Sequence, residues 1–208
     1  MAREVKPETA LDRFVATIRD WYAEEPDPEK RWECLTPVMQ ELLADPSVLE
    51  ASKNWPLTNG GGPRNPDGRV ENLLFYQDPD YGFALQGVKK AADRSDRRGI
   101  HDHGRIYTLY GLLDGHEKVE RFERIDDGSK EDYAAIRQTV EMAVGPGDVD
   151  VVKPYEIHTE VTVGEAAVAL ILRSEPSGSS TQHRYSMETG EYQASQGPRL
   201  VPVDMFGK

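Results

Sequence analysis

Cysteine is almost missing from this sequence: Cys34 is the only one in 208 residues. A single thiol excludes an internal disulfide and any zinc site built on several thiolates. Cys34 falls inside a helical pattern with no activating group beside it, so it reads as a small buried or half-buried residue rather than a nucleophile. Long apolar runs are missing too, and none approaches the roughly 18 residues needed to span a bilayer. The opening MAREVKPETALDRF lacks the apolar stretch and small-residue cleavage site of a secretory signal. Neither a membrane protein nor a secreted one is expected, and a reducing cytoplasm is the expected home. Positive charge is scarce as well, with 25 Lys and Arg against 37 Asp and Glu and a net charge of −12. Nucleic-acid binders carry the opposite balance, because their affinity comes from neutralising phosphates. Lys89 and Lys90 make no stripe, and the cluster Arg94, Arg97, Arg98 is interrupted by Asp93 and Asp96 and reads as a solvated loop.

What remains is a chain long enough for one ordinary domain over 1–208 and hardly enough for two. Its first part, 1–55, is helical in pattern. Leu11, Phe14, Val15, Ile18, Trp21 and Tyr22 form one apolar stripe that Pro26 and Pro28 end. A second stripe of Trp32, Leu35, Val38, Met39, Leu42 and Leu43 starts near Pro28 and closes at Asp45-Pro46. Dense turn signals follow at Asn59-Gly60-Gly61-Gly62-Pro63 and Asn65-Pro66-Asp67-Gly68. The glycines are no phosphate loop, since neither Lys-Ser nor Lys-Thr follows them.

From Val70 onward short β-type runs alternate with turns. They cover 72–76, 81–88, 106–113, 118–124, 149–152, 158–163 and 167–172, with Asp114-Gly115 and Gly145-Pro146-Gly147 among the breaks. Glu131–Val140 has a helical look, with Tyr133, Ile136 and Val140 on one side. Nothing periodic is visible from Pro198 onward. Seven short strands with regular turns predict an antiparallel sandwich or barrel over 70–192 behind the helices.

The chemistry-bearing residues are histidines, and three of the five in the chain stand in two short elements. His101-Asp102-His103 precedes an apolar strand, and residues i and i+2 of an extended segment point to one face while Asp102 points away. The second element runs Gly147-Asp148-Val149-Asp150-Val151-Val152-Lys153-Pro154-Tyr155-Glu156-Ile157-His158: a turn glycine, a strand, a proline turn and a histidine opening the next strand. An isolated His-x-His is also what a polar surface loop produces. Its pairing with the second element points to a divalent metal held by three imidazoles on rigid strands.

These two elements resemble the paired motifs of the cupin superfamily, whose fold is the double-stranded β-helix, a jelly-roll-like barrel. Most cupins add a glutamate four or five positions beyond the second histidine. Tyr107 and Thr108 stand there, so the resemblance implies a neutral three-histidine shell. Within the superfamily the chain is most similar to the cysteine dioxygenase-like thiol dioxygenases, from the N-terminal helices to about Tyr192. The supporting strings are Asn72–Pro79, Gly99–Gly104, Gly111–Gly115 and the second histidine element. The resemblance implies iron(II) on His101, His103 and His158, and addition of both atoms of O2 to a thiol. Zinc, nickel and manganese accept the same ligands.

The departures bear on the substrate. The family's carboxylate-gripping arginine maps to Glu71, with Arg69 two residues away. The Ser-His-Tyr set that follows the third ligand maps to Ala169, Ile171 and Arg173, and the crosslinking cysteine maps to Thr108. Free cysteine is therefore an unexpected substrate, and a different small anion, held by Arg173, takes its place. An arginine in an apolar strand needs an anionic partner, which Glu71 or a substrate would supply.

Tyr107 shares the face of His101 and His103 if the strand runs unbroken, and is a candidate catalytic residue beside Arg173. Tyr110 would then face the other way. His116 is expected to be exposed in a hairpin turn after Gly115. His183 and Tyr185 lie in a polar segment that either covers the site or is surface loop. Two rivals share the metal shell: cleavage of a diketone- or phenol-type chelate, and a catalytically silent small-molecule-binding cupin. The expected partners are a small molecule and O2, with no nucleic acid and no membrane, in a monomer or homodimer.

Overall fold

The computed structural model describes residues 8–58, 70–90 and 99–207. Arg69, both glycine-rich turn signals and the cluster Arg94, Arg97, Arg98 lie outside them. Three helices come first: α1 Ala10–Glu24, α2 Pro28–Ala44 and α3 Pro46–Ser52. Thr9 and Asp12 form a capping box on α1, and Asp27 caps α2 ahead of Pro28. These side chains satisfy the first amide N–H groups of each helix and fix where it begins. The expected stripes are the buried ones: Phe14 and Ile18 on α1, and Trp32, Leu35, Met39, Leu42 and Leu43 on α2. No described helix is long and apolar enough to cross a membrane.

The rest is mainly β, as expected. The strands are β1 Glu71–Gln77, β2 Ala84–Lys90, β3 Thr108–Arg124, β4 Ile136–Val144, β5 Val149–Val152, β6 Ile157–Arg173, β7 Gln182–Tyr185, β8 Tyr192–Ser195 and β9 Arg199–Pro202. The main sheet runs β4-β3-β6-β2-β1-β9, with β5 also on β3, while β7 and β8 form a separate ribbon. The helices cover one face, where Trp32, Leu35 and Met39 meet Leu85, Leu109, Leu170 and Leu172. The other face turns inward and carries Val88, Tyr110, Leu112, Ala169 and Ile171.

The central feature is the long β3–β6 ribbon, paired from Thr108↔Arg173 to Phe122↔Ile157. Laid flat, Thr108 and Arg121 would stand about 43 Å apart at ~3.3 Å per residue. Yet His103, just before β3, has its ring 4.7 Å from that of His158, the partner of Arg121. The ribbon must therefore fold back on itself, which closes the jelly-roll-like barrel. It bends at register shifts between Leu112 and Asp114 and between Gly115 and His116. Gly115 has φ +83°, and a Cβ there would meet the Ala166 carbonyl oxygen at 2.1 Å, so only glycine fits the bend.

Three expectations need correction here. Asp114-Gly115 is not a hairpin turn but this bulge, so the runs 106–113 and 118–124 belong largely to one strand, as do 158–163 and 167–172. His116 is exposed, but within β3. Glu131–Val140 is not helical: a turn leads into β4, which pairs along β3. β4 is an edge strand with only Ile136 buried, and so little burial left no alternation to oppose a chance i, i+3, i+7 spacing. Finally, the segment after Pro198 contains β9, which pairs parallel to β1 from Glu71↔Arg199 to Leu74↔Pro202. Four residues are too few for a period to show.

Candidate metal centre

Two backbone hydrogen bonds of 2.9 Å join His101 and His158, one from each N–H to the other's carbonyl. The segment before β3 is thus stitched to the start of β6, and all three histidines come together. Their rings have centroids 4.5–5.0 Å apart. One nitrogen of each lies within 4.8 Å of the others. His103 and His158 are buried and His101 is half-buried.

The hydrogen bonds fix which nitrogen faces inward. His101 Nδ1 lies 3.0 Å from the Gly99 carbonyl and His158 Nδ1 2.9 Å from the Glu156 carbonyl. A carbonyl only accepts, so each Nδ1 carries a proton, which leaves each Nε2 as the nitrogen available to a metal. Arg173 Nη2 stands 3.2 Å from His103 Nε2, and a guanidinium only donates. His103 Nδ1 therefore carries its proton too and donates to Thr108 Oγ1 at 3.0 Å. Three oriented imidazoles turn the same basic nitrogen toward one point.

A divalent ion fits this set. With metal–nitrogen bonds near 2.0–2.1 Å, neighbouring ligand atoms stand about 3.0–3.4 Å apart. His101 Nε2 and His103 Nε2 are 3.1 Å apart.

No family model and no curated protein matches the chain. Solved structures similar to it share part of a backbone arrangement at low identity. One is an oxalate oxidase, 19% identical over 45% of this chain and 42% of that one, with a TM-score of 0.35. The chain thus spans about two fifths of that enzyme's length. Others are the Schizosaccharomyces pombe Cnp3 cupin domain (12% identical, 50% and 64% covered, TM-score 0.35) and the Bacillus subtilis oxalate decarboxylase (17%, 50% and 24%, TM-score 0.36).

Arg173 shares its face with Ile171 and Ala169, is 3% exposed, and reaches the histidines at His103. Tyr107 does not join them. The extended segment breaks at a turn through Gly104, where φ is +61°, and Tyr107 emerges on the helix-facing side. Its ring stacks on Trp32 at 6.0 Å, so the shared-face expectation fails. Tyr110, on the opposite face from Tyr107, turns to the interior instead. There its hydroxyl donates to Glu117 at 2.8 Å in a buried cluster with Lys90 and Thr162. Glu71 pairs with Arg199 on β9 and is no partner for Arg173.

Two features escaped the sequence reading. Glu160 is 3% exposed, and its Oε1 lies 3.3 Å from His158 Nε2. Burial pushes the His158 imidazole down, but the charge and hydrogen bond of Glu160, the Glu156 carbonyl and the Asp150 charge together outweigh it and hold the ring above its ordinary value. Burial raises the Glu160 carboxyl, yet His158, His101 and Lys90 together hold it well below the usual range. The signal was present: Glu160 is two residues past His158 on the same strand.

The second feature is the set behind Asp102. This buried carboxylate accepts from the backbone N–H of Gly104 at 2.8 Å and of His183 at 3.1 Å, and from the Tyr185 hydroxyl at 2.6 Å. His183 Nδ1 stands 3.2 Å from it. Burial and the Asp102 charge push the Tyr185 hydroxyl well above its ordinary value. Strand β7 therefore clamps the segment between the two histidines from its back side. Asp102→Asn is expected to weaken metal binding about 10–100-fold, as loss of outer-sphere support does. A cobalt(II) titration checks it, and unchanged affinity would show that the clamp has no bearing on the ligands.

Proposed function

We propose that this protein is a metal-dependent dioxygenase of the cupin superfamily, using a three-histidine non-haem iron(II) centre to oxidise a small anionic substrate, a thiol among the candidates. The observation that carries the reading is the convergence of His101, His103 and His158, each with Nε2 inward and Nδ1 held from behind. Iron, when bound, supplies O2 activation and an attachment point for substrate. The rest falls to the chain. Arg173, beside His103, is placed to take the anionic end of a substrate through its planar fork of donors. Val88, Tyr110 and Ile171, buried together on the interior face, would keep bulk water from the reacting groups. Among the described residues, Ala169 and Ile171 stand where the resemblance expects polar groups for gripping free cysteine, and Glu71 is tied to Arg199.

The test is metal analysis of freshly purified protein, then O2 consumption after iron(II) loading with panels of thiols, diketones and catechols. The expected result is stoichiometric metal and O2 uptake with an anionic thiol, while free cysteine is turned over poorly. Uptake with a diketone or catechol alone would replace the thiol with a carbon–carbon cleavage substrate. Metal without uptake in any panel would overturn the enzyme reading in favour of a binding protein.

A further inference from the structure

We propose that Glu160 is a fourth, carboxylate ligand of the metal, which makes the centre three histidines and one glutamate. The inference rests on the metal-centre reading above and adds a residue that neither histidine element contains. The strand supplies it. His158, Glu160 and Thr162 alternate along β6 opposite Arg121, Val119 and Glu117 of β3, so they project from one face into the barrel. Glu160 is 3% exposed, and a charged side chain is rarely held so deep without a partner of opposite sign.

The contact it makes is specific to the ligand atom. Glu160 Oε1 lies 3.3 Å from His158 Nε2, the nitrogen that faces His101 and His103, and not from Nδ1, which is committed to the Glu156 carbonyl. That separation falls in the about 3.0–3.4 Å range of two neighbouring ligands on one divalent ion. Nε2 can present a proton to Glu160 or a lone pair to a metal, but not both. A metal on Nε2 would take the place of that proton as the positive charge beside this buried carboxylate. Lys90, the ammonium that also acts on Glu160, is already paired with Glu117. Arg173 contacts the cluster from the His103 side. Among the described residues the mutually close ligand set is the three histidines alone, so Glu160 would join it by turning its carboxylate from His158 toward the ion.

Two consequences follow for the substrate. A carboxylate lowers the net charge of a divalent centre from +2 to +1. It also leaves a six-coordinate ion two open positions instead of three. A substrate that shared the ion with O2 would then attach through a single atom and rely on Arg173 for its second hold.

The test uses the full chain with cobalt(II), whose visible absorption reports ligand number and type. Glu160→Gln, Glu160→Ala and Glu160→Asp are titrated beside wild type. Glutamine keeps the shape, so it carries the test if the alanine variant does not fold. The expected result is at least tenfold weaker binding and an altered spectrum for the glutamine and alanine variants. Aspartate should recover part of both, and added formate should restore the wild-type spectrum in Glu160→Ala. Affinity within twofold of wild type with an unchanged spectrum would overturn the proposal. Weaker binding with an unchanged spectrum and no effect of formate would also overturn it, reducing Glu160 to a positioning residue. If wild type itself takes up no cobalt, the metal-centre reading fails first and visibly.

Discussion

Replacing any one of His101, His103 or His158 by alanine is expected to empty the centre. Structural zinc sites bind with about 10–16 kcal/mol in total, so one ligand of four accounts for about 2.5–4 kcal/mol, or roughly two to three decades of affinity. Metal carried through purification should fall below a tenth of the wild-type content. The fold should survive, because the main apolar core of Trp32, Leu35, Met39, Leu109 and Leu172 is built on the helix-facing side of the sheet. His158→Ala should lower stability most, since that ring is fully buried and its Nδ1 bond to Glu156 is lost. His101→Ala should do so least, since its ring is only half-buried. Wild type should also lose thermal stability on chelation, because a ligand that binds only the folded state stabilises it by mass action. The three variants should show no such shift. His116→Ala is the control: that residue is exposed on the sheet and should keep full metal content. Equal metal in all four variants would remove the centre altogether.

The helices and the two histidine elements were legible because each writes a local signal. The stripes on α1 and α2 repeat over three or more turns, and the caps at Thr9 and Asp27 mark the starts. His101 and His103 were readable as a pair because extended backbone puts i and i+2 on one side. What was not legible depends on contacts distant in sequence. Tyr107 was assigned to the face of His101 by counting in twos, and one turn at Gly104 invalidates the count. That turn is demanded by Ser180 and Thr181, whose side-chain and carbonyl oxygens lie within 2.4 Å of where a Cβ would be. They are about 75 residues away, so no local pattern announces them. The same holds for β7, whose four residues carry His183 and Tyr185 to Asp102. Asp114-Gly115 has the composition of a hairpin turn, and only the pairing of β3 with β6 reveals it as a bulge. Glu160 was missed for a different reason. The family pattern puts its carboxylate at Tyr107 or Thr108, whereas this glutamate alternates with His158 along β6.

Arg173→Met is expected to move two quantities in opposite directions. In the structure the guanidinium donates to His103 Nε2 at 3.2 Å, the lone pair that a metal would take. Binding must therefore break that bond and bring a dication beside a fixed positive charge in a site where little water screens it. Methionine keeps the apolar stem without the charge. Metal affinity is expected to rise about tenfold, the equivalent of about 1.4 kcal/mol of relieved competition and repulsion. Thermal stability should hold or improve, because replacing a buried charge by an apolar group of similar volume is often neutral or stabilising. Turnover should suffer instead. Losing one partner of a buried, hydrogen-bonded charge pair costs about 2–5 kcal/mol, which predicts a KM for the anionic substrate at least 30-fold higher. Arg173→Lys should restore the repulsion but not the KM, since a point charge cannot reproduce the fork that grips a carboxylate through two parallel bonds. A metal affinity that falls in Arg173→Met would mean the guanidinium supports the ligands rather than competing with the ion. A KM within threefold of wild type, measured with the substrate identified by O2 uptake, would mean that the anionic end lies elsewhere and that Arg173 serves only to hold His103 in place.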